Sequence, residues 1–294
     1  MAIIRRISTI LFLLGVTCLI SASDKPNILF IFTDDQSQRT VASHPDAFPW
    51  VKSPNIDALA RTGVSFNSAY IGTWCMPSRI TVLSGLLQHG MTSYKMTGDY
   101  PASTYNPKKI PFWPAVFRQN GYMTAHVGKW HSGIDSGFGR DWDYQKVWNR
   151  PKYTENTWNY YYDQEIEENG QHIGNIPGYS TDNYTAWAEE VIRGKHRDES
   201  KPWALWLCYS GTHGPYTPAK RHEGAYADVE IPTPEDVFPP RKGKPAHLSD
   251  RDFWIPNEKG EAILKNGESS IHGKTLQDWI RQYHQSAISI DEGV

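Results

Sequence analysis

Apolar residues follow two rhythms along this chain. Residues 27–32 (Ile28-Leu29-Phe30-Ile31-Phe32 after Asn27) and 202–209 (centred on Trp203-Ala204-Leu205-Trp206-Leu207) are apolar without alternation. Such runs predict strands buried on both faces of a parallel sheet. The stretch 121–131 predicts a third strand, running out of Gly121-Tyr122 and ending in Gly128-Lys129-Trp130-His131. Between the strands the period lengthens to that of helices. Ser53-Pro54 starts one, with Ser as cap, Pro in the first turn, Ile56, Leu59 and Ala60 on one face, and Gly63 as stop. A helix-like run leads from Cys75 to Gly85, another covers residues 112–117 and closes at Asn120-Gly121, and Thr181-Asp182 caps a third that passes through Trp187, Ala188, Val191 and Ile192. Leu276, Trp279, Ile280, Tyr283 and Ala287 form a last core-facing stripe. Residues 64–70 predict an extended segment. Residues 132–179, rich in Gly, Trp, Tyr and Asn, predict a long irregular set of loops, where carbohydrate contacts are expected, and the Pro-rich, charged 217–250 predicts a surface excursion.

The first 23 residues stand apart. Arg5 and Arg6 precede an apolar run from Ile10 to Ile20, and Ser21-Ala22-Ser23 offers small residues for cleavage. This predicts a secretory signal peptide, too short for a membrane span, and an exported (periplasmic or secreted) mature domain from residue 24 to 294. The full chain of 294 residues carries a net charge of −2, and losing the two arginines leaves the mature part at −4. Neither value calls for nucleic acid or an anionic membrane as partner. Twelve Trp and sixteen Tyr point mainly to core packing, with some left over for stacking on sugars. Export leaves Cys75 and Cys208; Cys208 sits in an apolar strand and reads as a buried small hydrophobe, so no disulfide is expected.

The chemistry-bearing residues cluster at predicted strand ends. Asp34 and Asp35 follow the first strand, and two adjacent acids at such a rim call for a cation or a basic cluster. Lys129 and His131, two apart on an extended segment, point the same way and can converge on one anion. His126 between them reads as structural. His213 follows the strand at 202–209 and approaches the same rim. Cys75 stands at a helix N-terminus, where backbone N–H groups attract anions and activate a nucleophile.

Cys75-Met76-Pro77-Ser78-Arg79, followed by Leu83-Ser84-Gly85, resembles the nucleophile signature of the sulfatases, and 121–131 resembles their second signature. The resemblance is to the arylsulfatase type within the alkaline-phosphatase superfamily, and it runs from Asn27 nearly to the end. It implies an α/β three-layer sandwich, with a mostly parallel central sheet flanked by helices. It further implies hydrolysis of sulfate monoesters, on sulfated carbohydrates, after a separate formylglycine-generating enzyme has converted Cys75 to formylglycine. Asp34, Asp35 and the modified Cys75 resemble calcium ligands, and Arg79 the arginine that holds the nucleophile. Lys129 and His131 resemble the pair on the sulfate and nucleophile, and His213 the histidine that assists the leaving group. Two positions depart from the pattern: Met76, where a smaller residue is usual, and Thr212, where Pro usually precedes the histidine.

Calcium takes six to eight oxygens, and two carboxylates supply about half of them. The family's further acid, amide and lysine, and its smaller C-terminal subdomain, have no counterpart in the sequence, so a truncated sulfatase with weak calcium binding is the expectation. A phosphonate monoester hydrolase or phosphodiesterase of the same superfamily is the closest alternative, and an inactive sugar-binding remnant the next. A cysteine hydrolase using Cys75 with His131 or His213 leaves Asp34, Asp35 and Arg79 unexplained.

Overall fold

The computed structural model describes residues 25–91, 95–96, 103–249, 253–265 and 275–294. The expected signal peptide lies outside them. Six strands make one sheet: β1 (Ile28–Phe32), β2 (Met123–Trp130), β3 (Tyr144–Asn149), β4 (Tyr162–Glu168), β5 (Gln171–Tyr179) and β6 (Trp203–Cys208), in the spatial order β1-β6-β2-β3-β4-β5. The pairs β1–β6, β6–β2 and β2–β3 are parallel, and β3–β4 and β4–β5 antiparallel. The mostly parallel sheet is as the sequence predicts. The loops expected over 132–179 are not: they contain three strands, β3, β4 and β5. Alternation there is hidden because polar side chains such as Gln145, Gln164 and Glu167 point inward and are buried in hydrogen bonds to one another and their neighbours.

Among the described residues, five helices longer than one turn flank the sheet: α1 (Pro54–Thr62), α2 (Cys75–Ser84), α3 (Trp113–Gln119), α4 (Ser180–Ile192) and α5 (Leu276–Gly293). Strand alternation divides the core into two layers. Leu205, Leu207 and Val127 pack with Tyr184, Trp187 and Val191 of α4 and Ile290 of α5. Trp206, Cys208, Trp130 and Val147 point the other way, to Ile80 and Leu83 of α2 and to Phe112. A run that is apolar throughout is what such a double-faced strand requires. β1 departs from this: among the described residues it pairs only with β6, and Leu29 is 43% exposed.

Local signals mostly hold at the helix ends, with three corrections. α4 begins one residue before the expected cap, at Ser180 after Tyr179, because Ser180 Oγ turns inward to the carbonyl of Tyr160. Ser53 precedes α1 but does not cap it; the Asp291 carboxylate accepts from the N–H groups of Asn55 (3.1 Å) and Ile56 (2.9 Å), a cap from the far end of the chain. Leu59, expected on the buried face of α1, is 57% exposed. Residues 64–70 form no strand ladder among the described residues and lie exposed.

Candidate active site

Parallel register gathers the site. Phe32 lies opposite Cys208, and Cys208 opposite Gly128, so the carboxyl ends of β1, β6 and β2 finish on one rim. Gly128 makes this close approach possible. Its φ is +104°, and a Cβ there would stand 2.1 Å from the Cys208 carbonyl oxygen. Beyond the strands, Asp34 N–H donates to the Gly211 carbonyl (3.0 Å) and Thr212 N–H to the Asp34 carbonyl (2.6 Å). Asp35 turns through φ +56°, which points its carboxylate toward His213, with Nε2 3.9 Å from Oδ2.

Asp34 is the buried hub. Arg79 Nη2 donates to its Oδ2 at 3.1 Å, and Lys129 Nζ donates to the same oxygen. Arg79 Nη1 also donates to the Lys129 carbonyl at 3.0 Å, and its guanidinium lies over the Phe32 ring. All three side chains are out of solvent. Burial by itself would raise the Asp34 pKa, but the charges of Lys129 and Arg79 outweigh it and hold the carboxyl at about 2. Asp35 has the opposite balance: burial and then the Asp34 charge push it up. Lys129 is lowered by burial, against the pull of Asp34 and Cys75.

Tyr160 organises the opposite wall. His213 stacks on its ring at 3.8 Å, and Lys129 Nζ and the Arg150 guanidinium lie over it at 4.6 and 5.3 Å. Arg150 is buried, donates through Nε to the Thr157 carbonyl (3.0 Å), and meets His131 Nε2 at 2.8 Å. Because arginine only donates, His131 Nε2 is the acceptor and its proton sits on Nδ1. Burial, then the charges of Lys129 and Arg150, drives the His131 pKa well down. In His213 the Nδ1–H donates to the Gly214 carbonyl (2.7 Å), leaving Nε2 toward Asp35, and burial with the Lys129 charge pushes its pKa down to about 4. Both imidazoles are therefore neutral at pH 7.

Cys75 is the first residue of α2, half-buried, and Arg79 follows one turn on. Cys208 is fully buried and both thiols are free, as expected. His126 is structural: it stacks on Trp206 at 5.0 Å and packs between Trp142 and Trp130, on the other face of β2.

The sulfatase family model matches residues 26–293. The chain belongs to the sulfatase family. Among relatives, it is 29% identical over 235 residues to an N-acetylglucosamine-6-O-sulfatase of Bacteroides thetaiotaomicron, an alignment covering 79% of this chain and 38% of the relative. It is 28% identical to the iduronate 2-sulfatase of Mus musculus, over 90% of this chain and 49% of that one. A solved structure in complex with its substrate D-glucosamine-2-N,6-O-disulfate superposes with a TM-score of 0.69 at 23% identity, covering 92% of this chain and 60% of the other. At that identity the likeness is one of fold, and the fold of this sulfatase is alkaline-phosphatase-like. The chain thus spans between about two fifths and three fifths of the proteins it matches.

Two groups expected of a sulfatase can be tested against these residues. Formylglycine fits: Cys75 is the half-buried thiol, at a helix N-terminus, with Arg79 on the same helix face. No three His, Cys, Asp or Glu side chains converge as a metal group among the described residues, and Asp34 Oδ2, expected as a ligand, takes two cationic donors instead. At the rim, Asp35 has no Lys or Arg hydrogen-bond donor among the described residues, and its Oδ2 faces His213 Nε2 at 3.9 Å. Arg150 and Tyr160 escaped the sequence because they lie in the stretch read as loops. The available signal was Val147-Trp148 running into Asn149-Arg150-Pro151, another apolar run ending at the same rim.

Proposed function

We propose that this sulfatase cleaves sulfate monoesters on a sulfated carbohydrate, with Cys75, Arg79, Lys129, His131 and His213 as its working residues and Arg150 added to them. The observation that carries this is a buried group of three cations, Arg79, Lys129 and Arg150, with two neutral imidazoles at the carboxyl ends of parallel strands, beside Cys75. Three cations against Asp34 and Asp35 leave one formal positive charge, matched to a monoanionic ester. Preorganised donors in a site shielded from water stabilise developing charge far better than the same donors in solution.

Formylglycine made from Cys75 supplies, when present, an oxygen nucleophile that can later expel sulfate. Arg79 holds α2 and the end of β2 together, so that Cys75 and Lys129 keep their spacing. Lys129 and the His131 Nδ1–H meet the terminal sulfate oxygens. Arg150 holds His131 Nε2, so base work at His131 requires Arg150 to let go, and an incoming sulfate competes for that guanidinium. Breaking the bridging S–O bond places charge on the leaving oxygen, which takes a proton from His213 once the anionic ester has raised its pKa and protonated Nε2. No step runs through calcium. The N-acetylglucosamine-6-O-sulfatase relative favours a sulfated amino sugar as substrate. Maturation by a formylglycine-generating enzyme and export through the signal at residues 1–23 belong to the same proposal.

The test is mass spectrometry across Cys75, on chain made in a host with the modifying enzyme, together with turnover of 4-nitrophenyl sulfate and of a phosphate diester. The expected peptide is about 18 Da lighter than the thiol form, and the sulfate is the better substrate. A persistent thiol, or faster diester cleavage, overturns the proposal.

A further inference from the structure

A cavity of 450 Å³ lies beside the rim just described, between residues 232–235 and the first half of α5. That is the size of a site for one small ligand. Four large aromatic rings stand in its walls: Tyr216, Trp279, Tyr283 and Phe48. Tyr216 meets Trp279 and Tyr283 edge-on, each at 5.3 Å and at 84° and 88°. Right-angle packing of this kind leaves ring faces to line a space rather than fill it. The cavity shares its backbone with the catalytic rim. Tyr283 Oη donates to the Asp35 carbonyl (2.7 Å) and accepts from Ser37 N–H (2.5 Å), and Tyr216 N–H donates to the His213 carbonyl (3.1 Å). Arg39 stands at the mouth, exposed, with its guanidinium 5.8 Å from the Phe48 ring centre and no ion pair among the described residues. Glu235 is the acidic group of the lining.

We infer that this cavity is a subsite for the sugar ring next to the sulfated one, and that this neighbouring ring carries an anionic group. It rests on the reading of the rim as a sulfate-ester site. A pyranose has an apolar C–H face, which suits the aromatic faces of Trp279 and Tyr216, and hydroxyls that suit Glu235 and the Tyr283 oxygen. The Arg39 fork matches a carboxylate or a second sulfate. This places carbohydrate contacts on α5 and residues 37–39 and 216, beside those expected on the stretch 132–179, of which just under half forms strands.

Isothermal titration of the full chain with three probes tests the subsite: 6-O-sulfated N-acetylglucosamine, the disaccharide joining it to a uronic acid, and that disaccharide without its sulfate. The disaccharide is expected to bind about 10-fold tighter than the monosaccharide. Trp279→Ala and Arg39→Gln are each expected to cut that ratio below about 3, and the exposed position of Arg39 keeps its variant folded. An unchanged ratio in both variants overturns the subsite. Should the sulfated monosaccharide fail to bind while the unsulfated disaccharide binds and is lost in the variants, the ester-site reading falls and the subsite stands. Binding of none of the three overturns both.

Discussion

Replacing Asp34 with Asn removes one charge from the centre of the site and leaves its shape. Arg79 and Lys129 are 1% and 0% exposed, and both donate to Asp34 Oδ2. The amide leaves two buried cations facing one another without a counter-charge. Breaking a buried pair in this way costs about 3–5 kcal/mol. The wild-type carboxyl gives an independent figure: held at about 2 instead of the ordinary 3.8, it contributes about 2 kcal/mol. Its folded pKa is depressed, so this contribution is complete above 3.8 and is lost as pH falls through 2. Lys129 changes the other limb. Already lowered by burial, and without Asp34 to hold its proton, it sheds the charge at lower pH in the variant, which relieves the repulsion. The difference in stability between wild type and Asp34→Asn should therefore peak near neutrality, and shrink both toward pH 2 and toward pH 9. Urea unfolding followed by tryptophan fluorescence reads it, since Trp130, Trp142 and Trp206 are all buried on the α2 side of the sheet. At pH 7 the midpoint should drop by about 1–2 M. A loss below about 1 kcal/mol that stays flat from pH 3 to 9 would refute the idea that Asp34 neutralises this pair.

Three further outcomes follow from the same geometry. Arg150→Ala should raise the His131 pKa, because a cation beside the ring is gone, whereas Arg150→Lys should keep it low; NMR titration of the ring distinguishes them, and equal values in all three proteins would remove Arg150 from its assigned place. The His213 ring should titrate at about 4 in the free chain and higher with a sulfate ester bound; with its folded value below the ordinary 6.5, stability should decline as pH falls from 6.5 through about 4, and titration near 6.5 would contradict the buried stack on Tyr160. His126→Phe should change stability by no more than about 1 kcal/mol, since neither ring nitrogen closes a hydrogen bond of ordinary geometry and the neighbours are tryptophans; a loss of about 3 kcal/mol or more in thermal unfolding would reveal a polar role.

The sequence by itself determined the sheet class and the ends of the chemistry-bearing strands. Continuous apolar runs can be strands only where both faces are covered, and β2 and β6 are covered on both. The motif around Cys75 and the run into Lys129 and His131 are local patterns, so they were legible without a partner in view. What only the tertiary structure decided is who meets whom. Strand register and the packing of α2 on the sheet place Asp34, Arg79 and Lys129 on one another; Arg79 and Lys129 are 45 and 95 positions from Asp34 along the chain. The tertiary structure set Asp34 against Lys129 and Arg79, a basic cluster that two adjacent acids at such a rim call for. It built three strands within the polar stretch 132–179, with inward residues such as Gln145 and Glu167 hydrogen-bonded to one another, and so brought Arg150 and Tyr160 to the rim. It also capped α1 with Asp291, 236 residues away from Asn55. Each of these depends on hydrogen bonds and charges between distant segments, and periodicity along one segment carries no record of the group that will face it.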